Sequence, residues 1–234
     1  MEKMQFEEQL RLLDRGAPGE ILEKLLSVSE AKGSSLQFFN YYKEVPVAAA
    51  VEVLYLFGDN LVCRSNQTQS RAINTSRYTV IRSKQLPHDV YAKAEYCAES
   101  DEITLSEFSY VEVLPDRRNA LRVKIGGLFQ ITVEAGPNAF TAKLKDLSLG
   151  GCALEVSDKS LLGSYSYFYL SFAFQLSNRP EPQKLRLMAR LLRFENDSSP
   201  YRCIMLFEHD LRSEDLIGRY IAQRQVEILR ELKD

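Results

Sequence analysis

The chain has 234 residues, of which 45% are hydrophobic and 26% are charged, and its formal net charge is −2. This composition is typical of a globular protein with a sizeable core in one or two domains. A net charge near zero provides no basic field for long nucleic acid, and no run of about 18 apolar residues predicts a membrane span.

The N-terminal segment, residues 1–36, is predicted to be helical. Leu10 and Leu13 lie on one apolar stripe, and residues 21–26 supply a second. Pro18 is placed to open the second helix. The charged N-terminus lacks the apolar region of a signal peptide, which favours a cytoplasmic protein.

Residues 37–114 are predicted to form a first β-barrel. Runs rich in β-branched and aromatic residues alternate with turn signals such as Gly58-Asp59-Asn60. The runs are residues 47–57, 61–65, 78–82, 90–96 and 102–113. Several short strands at this spacing are typical of a small antiparallel barrel.

Residues 115–234 begin with a polar, proline-led junction and are predicted to form a second barrel. Its strand-like runs are residues 121–125, 128–134, 142–147, 152–156, 165–175, 185–194 and 201–207. A closing helix is predicted from Ser213, a candidate N-cap, to Leu232. The chain is therefore predicted to be mainly β, with two consecutive small antiparallel β-barrels, N-terminal helices and a C-terminal helix. Because no helices alternate with the strands, a dinucleotide-binding βαβ fold is disfavoured.

The cysteines and histidines give no support for a metal site or a disulfide framework. The four cysteines lie far apart without a CxxC pair, at Cys63, Cys97, Cys152 and Cys203. His88 and His209 lie near none of them in sequence. Reduced, packed thiols in the cytoplasm are the favoured interpretation.

No sequence motif predicts catalysis. The chain has no GxSxG, no GxxxxGK[ST] phosphate loop and no HExxH. Its acidic residues are scattered, so no pair of carboxylates can be singled out. We therefore expect a protein that is not an enzyme and needs no cofactor or metal, although a site assembled from scattered residues stays an open alternative.

Two arginines four residues apart, Arg118 and Arg122, stand at the start of the second barrel. A guanidinium group donates two hydrogen bonds to a phosphate or to the O6/N7 edge of guanine, and it stacks on a base. The spacing alone is weak, because it recurs at Arg11/Arg15 and Arg186/Arg190, where solvated surface positions are favoured.

A second motif, Asp146-Leu147-Ser148-Leu149-Gly150-Gly151, separates two predicted strands. An aspartate accepts the N1–H and N2–H of guanine, and a serine hydroxyl bonds to phosphate or base. Two glycines allow positive φ and close approach of the backbone to a ligand. A plain hairpin turn needs the same residue types. A similar stretch, residues 158–163, lacks the double glycine and is interpreted as a coincidence.

In this order, RxxxR followed by DxSxxGG between two strands resembles the PilZ family of bacterial receptors for cyclic di-GMP. The resemblance covers residues 115–234. The preceding predicted barrel is similar to the extra N-terminal barrel of flagellar-brake-like members. The resemblance implies a cyclic di-GMP receptor without enzymatic activity.

The resemblance also implies roles for particular residues. Arg118 and Arg122 would hold guanine edges and phosphates, and Asp146, Ser148 and the Gly150-Gly151 pair would close around one guanine. In this family an arginine at the position of Arg117 accompanies capture of two intercalated ligand molecules. Arg190 and Arg202, which follow on later strands, are interpreted as solvated strand charges.

The implied mechanism is a ligand-driven change in the arrangement of the two barrels, with the arginine-bearing junction as hinge. Its output would be regulation of motility, biofilm or surface structures through a protein partner in a flagellar, pilus or exopolysaccharide apparatus. The alternative is an adaptor of the same fold that binds no ligand. A homodimer is a further open possibility.

Overall fold

The computed structural model describes residues 10–13, 16–113, 121–126, 129–163, 165–208 and 210–233. The chain divides into an N-terminal unit, Met1–Arg117 with Leu229–Asp234, and a C-terminal unit, Arg118–Ile228. The predicted boundary between residues 114 and 115 falls outside the described residues. No helix in the described part of the chain is long and apolar enough to cross a membrane.

The N-terminal unit is a ring of six antiparallel strands with a seventh strand at one edge. The ring runs β7-β4-β3-β2-β5-β6 and closes where β6 pairs with β7, while β1 pairs with β7. Its elements are β1 (Leu10–Leu12), α1 (Pro18–Glu30), β2 (Leu36–Tyr42), β3 (Val45–Phe57), β4 (Asn60–Arg64), α2 (Gln67–Ser76), β5 (Tyr78–Arg82), β6 (Asp89–Cys97) and β7 (Glu102–Val113).

Two helices cover this ring. Helix α1 starts with Pro18 in its first turn and buries Ile21 and Leu25, which join the main apolar core of the unit. Helix α2 starts where the Asn66 side chain accepts a hydrogen bond from the backbone N–H of Gln69. Helices are thus fixed at their first turns by proline geometry and by a side-chain cap.

The C-terminal unit repeats the same ring-plus-one arrangement. Its ring runs β10-β11-β14-β13-β12-β9 and closes where β10 pairs with β11, while β8 pairs with β10. Its elements are β8 (Arg122–Lys124), β9 (Gln130–Ala135), β10 (Asn138–Ser148), β11 (Gly151–Val156), β12 (Tyr167–Phe174), β13 (Gln183–Phe194), β14 (Tyr201–Glu208) and α3 (Leu211–Glu231). The predicted fold of two small antiparallel barrels is confirmed.

Alternation along the strands of the C-terminal unit sorts side chains between core and surface. In β12 Phe168 is buried, whereas Tyr167 and Tyr169 are exposed. Helix α3 packs on this barrel through Tyr220, whose ring stacks on that of Phe174 with 4.3 Å between the centroids. The ring of Phe129 also lies near that of Tyr220, with 6.4 Å between the centroids, so the three aromatic side chains pack together.

Two local predictions were wrong, and two elements, strand β2 and helix α2, were missing from the predicted set. Residues Leu10–Leu12 form a strand, because pairing with β7 outweighs an apolar spacing that also fits a helix. Helix α3 begins two residues before Ser213, and the side chain of Asp210 accepts the hydrogen bond from the Ser213 N–H. Asp210 is therefore the N-cap.

Candidate functional site

The turn between β10 and β11 is held by its own hydrogen bonds. Ser148 and Gly151 are directly paired across the hairpin, and the Ser148 hydroxyl donates to the Gly151 carbonyl over 3.1 Å. The backbone N–H of Phe207 donates to the Gly150 carbonyl over 3.0 Å. The turn is therefore held both by a hydrogen bond of its own and by one from β14.

The two glycines of this turn have different reasons to be there. A Cβ on Gly151 would lie 2.2 Å from the Met205 carbonyl oxygen, whereas one on Gly150 would meet nothing within 4 Å. Neither residue has the positive φ that was expected of the pair. The close approach at Gly151 is to the protein's own strand β14, and this alone requires glycine there.

Strand pairing brings Arg122 next to the turn. In the antiparallel β8–β10 pair, Arg122 lies directly opposite Ser148 and diagonally across from Asp146. The Arg122 Nε is 3.4 Å from Asp146 Oδ1, so the two form an ion pair. Arginine and turn, although 24 positions apart in sequence, thus share one face of the barrel.

A second arginine reaches the same carboxylate from β14. The Arg202 Nη2 lies 2.5 Å from Asp146 Oδ2, and its Nε lies 3.0 Å from Glu195 Oε2. The interpretation of Arg202 as a solvated strand charge was wrong, whereas Arg190 is exposed as expected. The β10–β11 and β11–β14 strand pairings bring Arg202 next to Asp146, and no residue spacing in the sequence predicts this contact.

The Asp146 carboxylate is buried beneath its two partners. Its side chain is 4% exposed, while those of Arg122 and Arg202 are 17% and 30% exposed. A charge at such depth needs paired counter-charges, which the arginines supply. Asp146 Oδ1 nevertheless has no hydrogen bond among the described residues. This oxygen is itself buried, so a ligand would reach it only after a side chain beside it shifted, whereas the two guanidinium groups reach solvent.

Cys152 adds no charge to this region. Cys152 follows the turn on β11, and burial, reinforced by the Asp146 charge, raises the pKa of its thiol well above the ordinary range. A neutral Cys152 behaves as a small apolar residue under the turn. Among the described residues no group of histidine, cysteine or acidic side chains is arranged to hold a metal ion.

The similar stretch at residues 158–163 folds differently. It forms a single 3₁₀ turn in which the Asp158 side chain accepts hydrogen bonds from the backbone N–H and the hydroxyl of Ser160. These bonds lower the pKa of Asp158 and use its acceptors locally. The stretch is a capped turn and lacks any arginine partner in the described structure.

Two of the predicted ligand residues, Arg117 and Arg118, lie outside the described residues. The others lie together around the β10–β11 turn. Residues 116–223 match the family model of the PilZ domain. This part of the chain is a PilZ domain. The RxxxR pair and the DxSxxGG stretch both lie within the matched residues.

Several solved structures are similar to this chain at low identity. Escherichia coli YcgR in complex with c-di-GMP is 15% identical, with 97% of each chain covered and a TM-score of 0.40. Bacillus subtilis inhibitor of motility (MotI/DgrA) is 13% identical, with 83% of this chain and 97% of that chain covered and a TM-score of 0.42. Borreliella burgdorferi PlzA in complex with c-di-GMP is 12% identical, with 92% and 95% covered and a TM-score of 0.31. No curated protein sequence matches the chain.

Proposed function

We propose that this chain is a non-enzymatic cyclic di-GMP receptor whose ligand binds at the β10–β11 turn of the PilZ domain. The observation that carries the proposal is a buried aspartate, Asp146, which is shared by two partly exposed arginines beside the hydrogen-bonded turn. Membership of the matched segment in the PilZ family supports it. The similar E. coli protein YcgR was solved in complex with c-di-GMP, which is the ligand proposed here.

The chemistry of the site suits guanine. Asp146 Oδ1 has no hydrogen-bond partner among the described residues and can receive the N1–H or N2–H of the base once the ligand displaces the side chain that buries it. Arg122 and Arg202 can each turn one guanidinium edge to guanine O6 and N7 or to a phosphate while keeping contact with the carboxylate. The Ser148 hydroxyl, opposite Arg122, adds a donor and an acceptor.

The charges at the turn and on the ligand support a role for the arginines of the junction. In the described site Arg122 and Arg202 are matched in charge by Asp146 and Glu195, so these four side chains together carry no net charge. Cyclic di-GMP carries two phosphodiester charges. Arg117 and Arg118, which precede β8, would supply the two matching positive charges. We propose that they do so by folding over the ligand, and that Arg117 permits capture of two intercalated molecules.

Regulation would follow from this closure. If Arg117 and Arg118 bind phosphate only in one arrangement of the junction, the ligand stabilises that arrangement by its difference in affinity. The two barrels on either side of the junction would then adopt a new relative orientation and present a new surface. We propose that a protein partner in a flagellar, pilus or exopolysaccharide apparatus reads this surface and changes motility or biofilm formation.

Calorimetric titration of the full chain with cyclic di-GMP tests the proposal. The variant carries Arg118→Ala and Arg122→Ala, and the matched control carries Arg186→Ala and Arg190→Ala, which have the same spacing on β13. We expect the parent and the control to bind and the first variant to lose at least about 100-fold in affinity, which is roughly 2.7 kcal/mol. A stoichiometry near two would support the role of Arg117.

Absence of binding would contradict the proposal. If the parent gives no heat and no thermal stabilisation at saturating ligand, the receptor proposal fails, because any ligand that binds the folded state must stabilise it. The chain would then be assigned as a PilZ-fold adaptor that binds no cyclic dinucleotide.

A further inference from the structure

Strand β3 of the N-terminal unit has two halves with different neighbours. Val45 to Val51 pair with β2, and Glu52 to Phe57 pair with β4. Each half is therefore paired on one side only. The main-chain N–H and C=O groups of alternate residues point to the unpaired side, where they need another partner or water.

The unpaired side of the first half is covered. Helix α2 packs against it, with Val47 and Ala72 in one buried cluster. The hydroxyl of Ser65 also donates to the Ala50 carbonyl over 2.8 Å. Covering an edge with a helix and a side-chain donor is a usual way in which proteins protect it from strand addition.

The second half has no such cover among the described residues. Its free side borders a groove of 670 Å³ between β3 and the segment that runs from the end of α1 to Ser35. Tyr55, Leu56 and Phe57 are 49%, 46% and 72% exposed. Because three consecutive residues are exposed, both faces of this strand end reach solvent. An exposed apolar edge of this kind is a template for another strand.

The charges beside the groove restrict what can bind there. Its charged lining residues are Glu30 and Glu52, and neither forms an ion pair within the described structure. The same edge of a second copy, residues 52–57, carries Glu52 and no lysine or arginine, so it offers no positive charge to these carboxylates. A partner with basic side chains gains from the same carboxylates.

We propose that residues 52–57 of β3 are a docking site for an extended, basic segment of a partner protein, which adds as a strand to this edge. Main-chain hydrogen bonds would give the affinity, apolar side chains would cover Tyr55 to Phe57, and lysines or arginines would face Glu30 and Glu52. The edge is about 20 Å long at 3.3 Å per residue, which suits a segment of about six residues. This site lies in the N-terminal unit and does not depend on the ligand proposed for the PilZ domain.

The test uses a fluorescent heptapeptide of alternating lysine and valine and the full chain, with binding followed by fluorescence anisotropy. A peptide with glutamate in place of lysine is the charge control. A lysine-valine peptide with N-methylated valines, which cannot donate main-chain hydrogen bonds, is the pairing control. We expect only the unmodified lysine-valine peptide to bind, more weakly as salt rises.

Variants of the chain locate the binding. We expect Glu30→Lys with Glu52→Lys to weaken the lysine peptide about tenfold and to allow the glutamate peptide to bind. The control, Glu23→Lys with Glu99→Lys, changes two exposed acidic residues away from the groove and should have no effect. Phe57→Ser should weaken binding without unfolding the exposed strand end.

Three results would overturn the proposal. One is equal binding of the N-methylated peptide, which would exclude strand addition. Another is a lysine-peptide affinity that the Glu30/Glu52 reversal leaves unchanged. The third is a dimer in sedimentation that Phe57→Ser dissociates, since a second copy would then occupy the edge.

Discussion

Both barrels bury a small polar cluster, and the two clusters differ in charge. In the N-terminal unit, Asn40 Oδ1 accepts from Gln69 Nε2 over 2.6 Å and from the Thr79 hydroxyl over 2.8 Å. All three of these residues are fully buried and neutral. In the C-terminal unit a buried carboxylate, Asp146, is shared by two arginines that reach solvent, of which Arg202 is the more exposed.

The difference separates two uses of a buried polar group. The neutral cluster joins α2 to β2 and β5, and no member has a face that a ligand can reach. The charged cluster needs its arginines for stability, yet those arginines keep exposed donors that can turn to an anion. We therefore expect substitutions in the first cluster to change stability alone and those in the second to change ligand binding.

The largest expected effect is on ligand affinity. Asp146→Asn removes the acceptor charge that we propose receives the guanine N–H groups, while Arg122 and Arg202 can hydrate at the surface. We expect the affinity for cyclic di-GMP to fall about 100-fold, or roughly 2.7 kcal/mol, by calorimetry. The matched control is Asp158→Asn, which changes the DxS aspartate of the capped 3₁₀ turn. Equal loss in both variants would contradict a specific role for Asp146.

The next effect concerns the turn that carries the charged cluster. Gly151→Ala forces a methyl group onto the Met205 carbonyl, and we expect it to lower the free energy of unfolding by about 3 kcal/mol. Gly150→Ala meets no atom and should change this free energy by less than about 0.5 kcal/mol. Urea denaturation of both variants checks the contrast. Equal stabilities would mean that β11 does not approach β14 as described.

A substitution in the neutral cluster should lower stability and leave ligand affinity unchanged. Asn40→Ala leaves the Gln69 amide and the Thr79 hydroxyl without their buried acceptor, while the Tyr78 carbonyl keeps its hydrogen bond from the Ser76 hydroxyl. We expect a loss of about 2 kcal/mol in unfolding free energy and an unchanged affinity for cyclic di-GMP. The exposed Asn178→Ala is the control for stability. A loss of affinity in the folded Asn40 variant would remove the distinction between the two clusters.

The smallest expected effect is on the reactivity of the cysteine thiols, and it leaves the fold unchanged. Hydrogen bonds from the side chain and backbone of Ser100 lower the pKa of the exposed Cys97 thiol. Burial raises the pKa of Cys63 to about 12 and that of Cys203 to about 11, and it also raises the pKa of Cys152. Because only the thiolate reacts, native protein should take up iodoacetamide at Cys97, at a lower pH than a free cysteine would.

Mass spectrometry of the alkylated peptides checks this expectation. One modified cysteine, in the N-terminal unit, is the expected result under native conditions, and Cys97→Ser should abolish it. Unfolding in urea should expose the other three thiols. Rapid alkylation of Cys152 in the native protein would contradict a tightly packed core under the ligand turn.

Local sequence patterns predicted most of the fold. Alternating β-branched and aromatic residues placed β5 at Tyr78–Arg82 and β7 at Glu102–Val113, with the bounds that the structure has. Helix α2 escaped prediction because its sequence, QTQSRAINTS, is polar and carries only Ala72 and Ile73 as buried apolar side chains. Residues Leu10–Leu12 fit a helix as well as a strand, and a partner about 100 positions away decides between them.

The candidate site was predictable only as far as its motifs reach. The DxSxxGG motif fixed the hairpin and the RxxxR motif identified Arg122, while their roles in binding stay predictions. Arg202 could not be found this way, because its contact with Asp146 depends on two successive strand pairings across 56 positions of sequence. The positive φ expected of the two glycines was wrong, and Gly151 has a structural reason in its close approach to Met205 of the same chain.

Hydrogen–deuterium exchange of the full chain, with and without saturating cyclic di-GMP, tests most directly whether the β10–β11 turn is the ligand site. It needs no substitution and locates protection along the backbone. We predict the strongest slowing of exchange in residues 146–151 and in the arginine segment from Arg117 to Arg122. Protection confined to other strands, or no change in either segment at saturating ligand, would contradict the assignment of this turn as a cyclic di-GMP site.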